Sequence, residues 1–325
     1  MHILDAAACT AGLPFERLIP ALQALFASGC VVPQRHVHQL STADGAGLTS
    51  LVMPAWLPGH CYGLKVVNIA PGNSARGLPG LHGVYLLFDA ETGRPLAQLD
   101  GTVLTTRRTA AASALAASLL APPDAAHLLL VGAGAVARLL PGAYRVVRPI
   151  RRVTVWARRP AQAAALADEL CRQGHEARAS TDLPGACAQA DIVSCATLAT
   201  EPVVQGRWLR PGSHLDLIGS YTPAMREADD DCLRAGAGGG VRLYVDTAEA
   251  ARKSGDLLGP LARELITPDD LRIDLAALCR AGQPVPPDGR RTVFKSVGTA
   301  LEDLAAAMLL IPHPHPQPST PQTPT

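Results

Sequence analysis

The chain has 325 residues, is 48% apolar, and is almost neutral, with 29 Lys and Arg against 28 Asp and Glu. That length and apolar content are enough for two domains with real cores. The balanced charge, with no basic stripe or acidic tail, argues against nucleic acid or an anionic membrane surface as partner and points to a small molecule.

The first residues carry no basic segment followed by an apolar core, so no signal peptide is expected. No uncharged apolar run reaches the roughly 18–20 residues that cross a bilayer. Eight cysteines, none in a C-x-x-C pair, give neither a zinc nor a redox motif. As free thiols without an export signal they suggest the cytoplasm.

Residues 15–26 place Leu18, Ile19, Leu22, Leu25 and Phe26 on one helical face. Extended runs follow at 63–69 and 83–89, the second ending in the hairpin signal Asp89-Ala-Glu-Thr-Gly93. An Ala-rich helix is expected over 106–120, and the breaker Ala121-Pro-Pro-Asp124 marks a domain boundary. Beyond it, strand candidates at 128–131, 153–156, 192–195, 215–218 and 243–245 alternate with helical stretches such as 160–172. Short apolar strands separated by helices predict a parallel, doubly wound sheet. One more helix is expected over 298–310, with Leu301, Leu304, Ala305 and Met308 on one face. The Pro/His/Thr/Gln-rich residues 312–325 cannot bury enough apolar surface to order themselves, a reading that outweighs a metal-binding tract.

The segment Leu128-Leu-Leu-Val131 leads into Gly132-Ala-Gly134-Ala-Val-Ala137, a strand followed by G-x-G-x-x-A and a helix. Gly132 makes the tight turn, and Gly134 admits the pyrophosphate to the backbone of Ala135 and Val136 at the helix N-terminus. Pro141-Gly142 falls inside that helix, which is therefore expected to kink or stop early. The next strand ends in Trp156-Ala-Arg158-Arg159. An enzyme choosing NAD usually offers Asp or Glu there for the ribose hydroxyl, whereas Arg158 suits a 2′-phosphate. NADPH is expected, with NADH weaker.

Several further motifs stand in one order along the chain. They are Arg35 in Pro-Gln-Arg-His, Lys65 in Gly-Leu-Lys-Val-Val-Asn, Gly77-Leu-Pro79, and Arg108 in Leu-Thr-Thr-Arg-Arg-Thr-Ala-Ala. After the Gly132 loop come Gly219-Ser-Tyr-Thr-Pro-Ala-Met-Arg-Glu227 and Thr292-Val-Phe-Lys-Ser-Val-Gly298, then Glu302-Asp303. Across nearly its whole length the chain resembles the ornithine cyclodeaminase/μ-crystallin family.

The resemblance implies a Rossmann-type doubly wound sheet, residues 122–298, inserted into an α+β substrate-binding and dimerisation domain of residues 1–121 and 299–311. It implies that Arg35, Lys65 and Arg108 surround the carboxylate and reacting carbon of an imino acid, with Lys65 and Arg108 catalytic. An arginine fork matches a carboxylate, and a lysine can also donate a proton. Arg108, Thr197, Ile218, Gly219, Ser220 and Val297 would line the cofactor, and Val297 and Gly298 would close over nicotinamide and substrate.

Two positions depart from the family. Cyclodeaminases carry a catalytic aspartate two residues after the Gly219 position, where this chain has Tyr221; Asp216 lies earlier, within a strand. Gly80 replaces a threonine that relatives often have near the cofactor. Without the aspartate, a cofactor, an anion clamp and a lysine remain, enough to reduce an imine. The resemblance thus tilts toward ketimine reductases acting on Δ1-pyrroline-2-carboxylate and Δ1-piperideine-2-carboxylate, assembled as homodimers. The rivals are a cyclodeaminase, a linear imino- or amino-acid dehydrogenase, and a crystallin-type protein that holds NADPH without turnover.

Overall fold

A computed structural model describes residues 1–234 and 240–312; the sequence expectation for the tail falls, from residue 313 on, outside the described residues. The chain divides into two compact units. One comprises Met1–Ala21, Gly29–Arg108 and the chain from Ala300 onward; the other comprises Leu22–Ser28 and Thr109–Thr299.

The first unit is built on six strands: β1 (His2–Leu4), β2 (His36–Leu40), β3 (Leu48–Leu57), β4 (Cys61–Ile69), β5 (Leu81–Asp89) and β6 (Pro95–Asp100). They pair in the order β1-β6-β5-β4-β3-β2, antiparallel except for β1 beside β6. Helices α1 (Ala6–Gly12) and α2 (Phe15–Ser28) precede the long strands, and all five apolar residues expected on the face of α2 are buried. The β5–β6 turn forms as its sequence signalled, with Asp89 Oδ1 accepting from the N–H groups of Glu91 and Thr92 at 3.0 and 2.9 Å. Helix α3 (Gly101–Leu120) starts five residues before the expected 106, because Asp100 Oδ1 accepts from the N–H groups of Thr102 and Val103. The division between units falls after Arg108, inside α3, and Pro122 and Pro123 lie just beyond its end.

The second unit carries seven parallel strands: β7 (His127–Val131), β8 (Arg152–Trp156), β9 (Glu176–Ala179), β10 (Ile192–Cys195), β11 (His214–Leu217), β12 (Arg242–Val245) and β13 (Thr292–Lys295). Their order is β12-β13-β11-β10-β7-β8-β9, so the direction of winding reverses between β7 and β10. In such sheets, ligands bind at that reversal, beyond the carboxyl ends of the strands. Helices α4 (Ala135–Val147), α5 (Pro160–Arg172) and α6 (Leu183–Gln189) connect the first strands. Later come α7 (Ala250–Lys253), α8 (Gly255–Ala262) and α9 (Leu275–Ala281).

In this second sheet two strands lie outside the sequence expectations. β9 is a mostly exposed edge strand of sequence Glu-Ala-Arg-Ala and has no apolar run to announce it. β13 is fully buried between β11 and β12, although Thr292 and Lys295 give it polar ends. Helix α4 also departs from expectation, running through Pro141 to Val147. The proline removes one helical hydrogen bond, but Ala137, Leu140, Pro141, Ala143 and Tyr144 are all buried, and that packing offsets the loss. The last helix, α10 (Ala300–Leu310), begins two residues late and is not amphipathic: Ala300 through Ala307 are buried in succession, Glu302 and Asp303 included, and Met308 is only half-buried. Among the described residues no helix is long and apolar enough to cross a membrane.

One buried carboxylate ties this second unit together. Asp216, on β11, accepts from Ser194 Oγ on β10 (2.5 Å), Tyr144 Oη on α4 (2.8 Å) and Ser113 Oγ on α3 (3.3 Å). Burial pushes its pKa up, and the three hydroxyls oppose that shift. Three committed donors explain why Asp216 serves as a structural acceptor. Tyr144→Phe should cost about 1–3 kcal/mol by removing the α4 link. Urea unfolding of the variant measures this, with an unchanged midpoint as the contrary result.

Candidate active site

In the first unit a lysine lies on the buried face of a sheet. Strand β4 alternates, with Cys61, Gly63, Lys65 and Val67 buried, so Lys65 points into the core and is 1% exposed. Its register partner across β5 is Tyr85, equally buried, and Gly63 leaves the room that the Tyr85 hydroxyl occupies. Helix α10 packs over β3 and β4 and brings Asp303 to the lysine, with Nζ–Oδ2 at 2.6 Å. The other Asp303 oxygen accepts from Arg108 Nε at 3.0 Å, and Arg108 Nη1 donates to Glu302 Oε2 at 2.6 Å. Lys65 also donates to Thr105 Oγ1 at 3.4 Å. Two cations and two carboxylates thus share one buried cluster.

The charges in this cluster are unequal. Burial pulls the Lys65 ammonium down to about 8; Asp303 opposes that shift and the Arg108 guanidinium reinforces it. Burial also disfavours the Arg108 cation, but Asp303 and Glu302 outweigh it and raise its pKa. Asp303 is held below the usual carboxylate range, because Lys65 and Arg108 together overcome its desolvation. The arginine is fixed as a cation, while the lysine can release its proton near neutrality.

Of the three cations assigned to the substrate from the sequence, the structure joins Lys65 and Arg108 through Asp303. Arg35 stands half-buried one residue before β2. The pairs His36↔Val52 and Met53↔Lys65 bring it level with Lys65 two strands away, roughly 10 Å across the sheet.

In the second unit the Gly132 loop leaves β7 at the reversal of strand order. Gly132 has φ +115°, and a Cβ there would stand 2.5 Å from the Ala196 carbonyl oxygen. Both facts call for glycine. Gly134 caps α4 without a side chain and faces open space, so any larger residue would fill the approach to the first N–H groups of that helix. Ala135 is exposed and Val136 half-buried beside it, and these residues fit a pyrophosphate. Arg158 and Arg159 are exposed just past β8.

The neighbouring loops are fastened by buried acids. Glu227 accepts from Thr197 N (2.7 Å), Thr197 Oγ1 (2.8 Å), Gly219 N (2.7 Å) and Ser220 N (3.2 Å), joining the segments that follow β10 and β11. Ile218, at the end of β11, is buried. Past β12, Asp246 accepts from Val297 N, Gly298 N and Ser296 Oγ at 2.7–3.1 Å. Asp256 binds Lys295 Nζ at 3.0 Å and the backbone N–H of Glu227 at 2.7 Å. Tyr221, at the family's aspartate position, is half-buried against the apolar core of this unit. Among the described residues, no group of three or more His, Cys, Asp and Glu side chains could hold a metal ion.

Glu302, Asp303, Glu227, Asp246, Asp256 and Lys295 carry this geometry without having been assigned roles from sequence. One signal was available: two adjacent carboxylates inside the otherwise apolar run Ala-Leu-Glu-Asp-Leu-Ala-Ala-Ala must find cations once that helix is buried.

A seven-stranded parallel sheet with this glycine loop at its reversal, in a chain whose other unit carries a buried lysine–arginine cluster, defines a nicotinamide-dependent oxidoreductase. The family model for the ornithine cyclodeaminase/mu-crystallin family matches residues 17–312, and the chain belongs to that family. It is 44% identical to a Delta(1)-pyrroline-2-carboxylate reductase of Paracoccus denitrificans over 86% of this chain and 87% of that protein. It is 34% identical to the ketimine reductase mu-crystallin of Mus musculus over 90% of each. Among solved structures, the Delta(1)-pyrroline-2-carboxylate reductase of Thermococcus litoralis, in complex with NADH and L-proline, superposes with a TM-score of 0.87 at 31% identity, covering 95% of this chain and 96% of that one.

Gly219 gives a direct test of the loop geometry. An added Cβ would collide with the Thr197 carbonyl oxygen and with Glu227 Oε1. Gly219→Ala should therefore cost about 1–3 kcal/mol of stability. Thermal melting checks this, and an unchanged melting temperature in the variant would contradict the geometry.

Proposed function

We propose that this protein uses NADPH to reduce the C=N bond of a small cyclic imino acid, Δ1-pyrroline-2-carboxylate or Δ1-piperideine-2-carboxylate, to the corresponding cyclic amino acid. The observation that carries this reading is the buried Lys65–Asp303–Arg108–Glu302 cluster. It holds a permanent cation beside a lysine whose proton is transferable near neutral pH. The relatives' named activities support the same reaction class.

Arg108 holds the substrate carboxylate. Its Nε and Nη1 bonds to Asp303 and Glu302 fix the plane of the guanidinium, and five N–H donors exceed those two bonds. Arg35 supplies a second positive charge to the same anion. The reduced nicotinamide, when bound, supplies a hydride to C2 of the imine. Lys65 Nζ holds a proton at the imine nitrogen, so that nitrogen becomes an N–H as the double bond is lost. Tyr221, in place of an aspartate, leaves no carboxylate for the distal amine of a linear diamino acid, which favours reduction over deaminating cyclisation. Exposed Arg158 meets the 2′-phosphate, and Val297 and Gly298 lie along the nicotinamide end of the sheet edge. The chain acts as a homodimer in the cytoplasm. The wholly exposed edge strand β2, with Val37 and Leu40 uncovered, supports pairing with a second copy.

The reading is tested by following NADPH oxidation with five- and six-membered cyclic imines, iminosuccinate and pyruvate plus ammonia. Turnover confined to the linear substrates would overturn it. NADPH should bind more tightly than NADH, and Arg158→Asp should reverse much of that preference in a fluorescence titration; equal wild-type affinities would remove the role assigned to Arg158. Lys65→Met should lower turnover by about 10²–10⁴-fold with NADPH binding intact. Because the donor is the protonated amine, the wild-type rate should fall as pH rises through about 8, and the methionine variant should lose that limb. Near-normal turnover with the limb retained would make Lys65 a structural cation.

A further inference from the structure

Glu227 is buried and has no place in the chemistry above. Both of its oxygens accept hydrogen bonds, and those to Oε2 come from N–H groups alone. Oε1 accepts from the backbone and hydroxyl of Thr197, and Oε2 from the N–H groups of Gly219 and Ser220. Its own backbone N–H is held by Asp256 Oδ1, whose other oxygen takes Lys295 Nζ from β13. The absence of a side chain at Gly219 gives the carboxylate its room. One side chain thus fastens the segments after β10 and β11, and through Asp256 is joined to the end of β13.

We infer that Glu227 is a positioning residue that sets the shape of the cofactor edge, and that it does so only when ionised. This rests on the reading of that edge as the cofactor site. A carboxylate satisfies all four donors; a proton on Oε1 would require the Thr197 hydroxyl, which also accepts from Ala199 N, to turn round and give up its own bond to the carboxylate. Oε2 faces only N–H groups, so protonation there must break at least one bond and release Gly219 or Ser220. The groups facing Glu227 are the Cys195 thiol on β10, the Thr197, Gly219 and Ser220 donors, Asp256 on α8 and Lys295 on β13. Burial pushes the Glu227 carboxyl up to about 7, Lys295 opposing and Asp256 adding to the rise. The ionised form therefore dominates above pH 7 and is lost as pH falls through it.

The experiment titrates the full-length protein with NADH and with NADPH by fluorescence from pH 5.5 to 8.5, without substrate. NADH has no 2′-phosphate, so a pH limb it shares with NADPH belongs to the protein. The expected wild-type result is a dissociation constant that rises about tenfold per pH unit below roughly pH 7 for both cofactors. Glu227→Gln should bind about tenfold more weakly at pH 8 and lose the limb, with turnover at saturating cofactor changed far less than affinity. Should that variant fail to fold, Thr197→Val removes one hydroxyl donor to the carboxylate and should move the limb to higher pH. A flat wild-type NADH profile, a limb that survives in Glu227→Gln, or an unmoved limb in Thr197→Val overturns the inference. Imine reduction is assayed separately: an inert enzyme with the limb present sinks only the proposed reaction, and an active one without it sinks only the role of Glu227.

Discussion

The first unit depends on keeping a lysine ionisable inside a protein core. A buried ammonium without a counter-charge would lose its proton or unfold its surroundings. Asp303 prevents this by contacting Lys65 with one oxygen and Arg108 with the other. The three residues come from β4, α3 and α10, so forming this site and closing this unit are one event. Removing Asp303 would take from Lys65 its ion-pair partner and leave it beside the Arg108 guanidinium, which Glu302 still holds.

The second unit meets the same constraint with the signs reversed. Its buried charges are mostly acids, and most are neutralised by N–H groups. Asp246 collects the backbone of Val297 and Gly298, and Glu227 collects that of Thr197, Gly219 and Ser220. Each carboxylate takes donors that loops leave without partners and fixes a turn at the end of a strand. Lys295 supplies a full positive charge among them, through Asp256.

These arrangements also account for the elements that departed from their sequence pattern. Helix α10 lacks a polar face because it is buried, and its two acids point to partners rather than to water. Strand β13 lies mid-sheet despite Lys295 because Asp256 neutralises that lysine. Helix α4 continues past Pro141 because its buried side and the Tyr144–Asp216 bond hold it to the sheet.

What the sequence determined by itself was whatever depends on residues near one another in the chain. The apolar runs of β7, β8, β10, β11 and β12, the β5–β6 turn and the Gly132 loop are local, since periodicity and glycine chemistry act over a few residues. Lys65 and Arg108 were visible as motif residues. Only the tertiary structure decided that Asp303 joins them, that Arg108 is shared between two acids, and that Glu227 gathers two separate loops. Those facts are pairings across 195 and 30 positions of chain. The energy of a buried charge is set by what folding brings to it, and no local pattern records that.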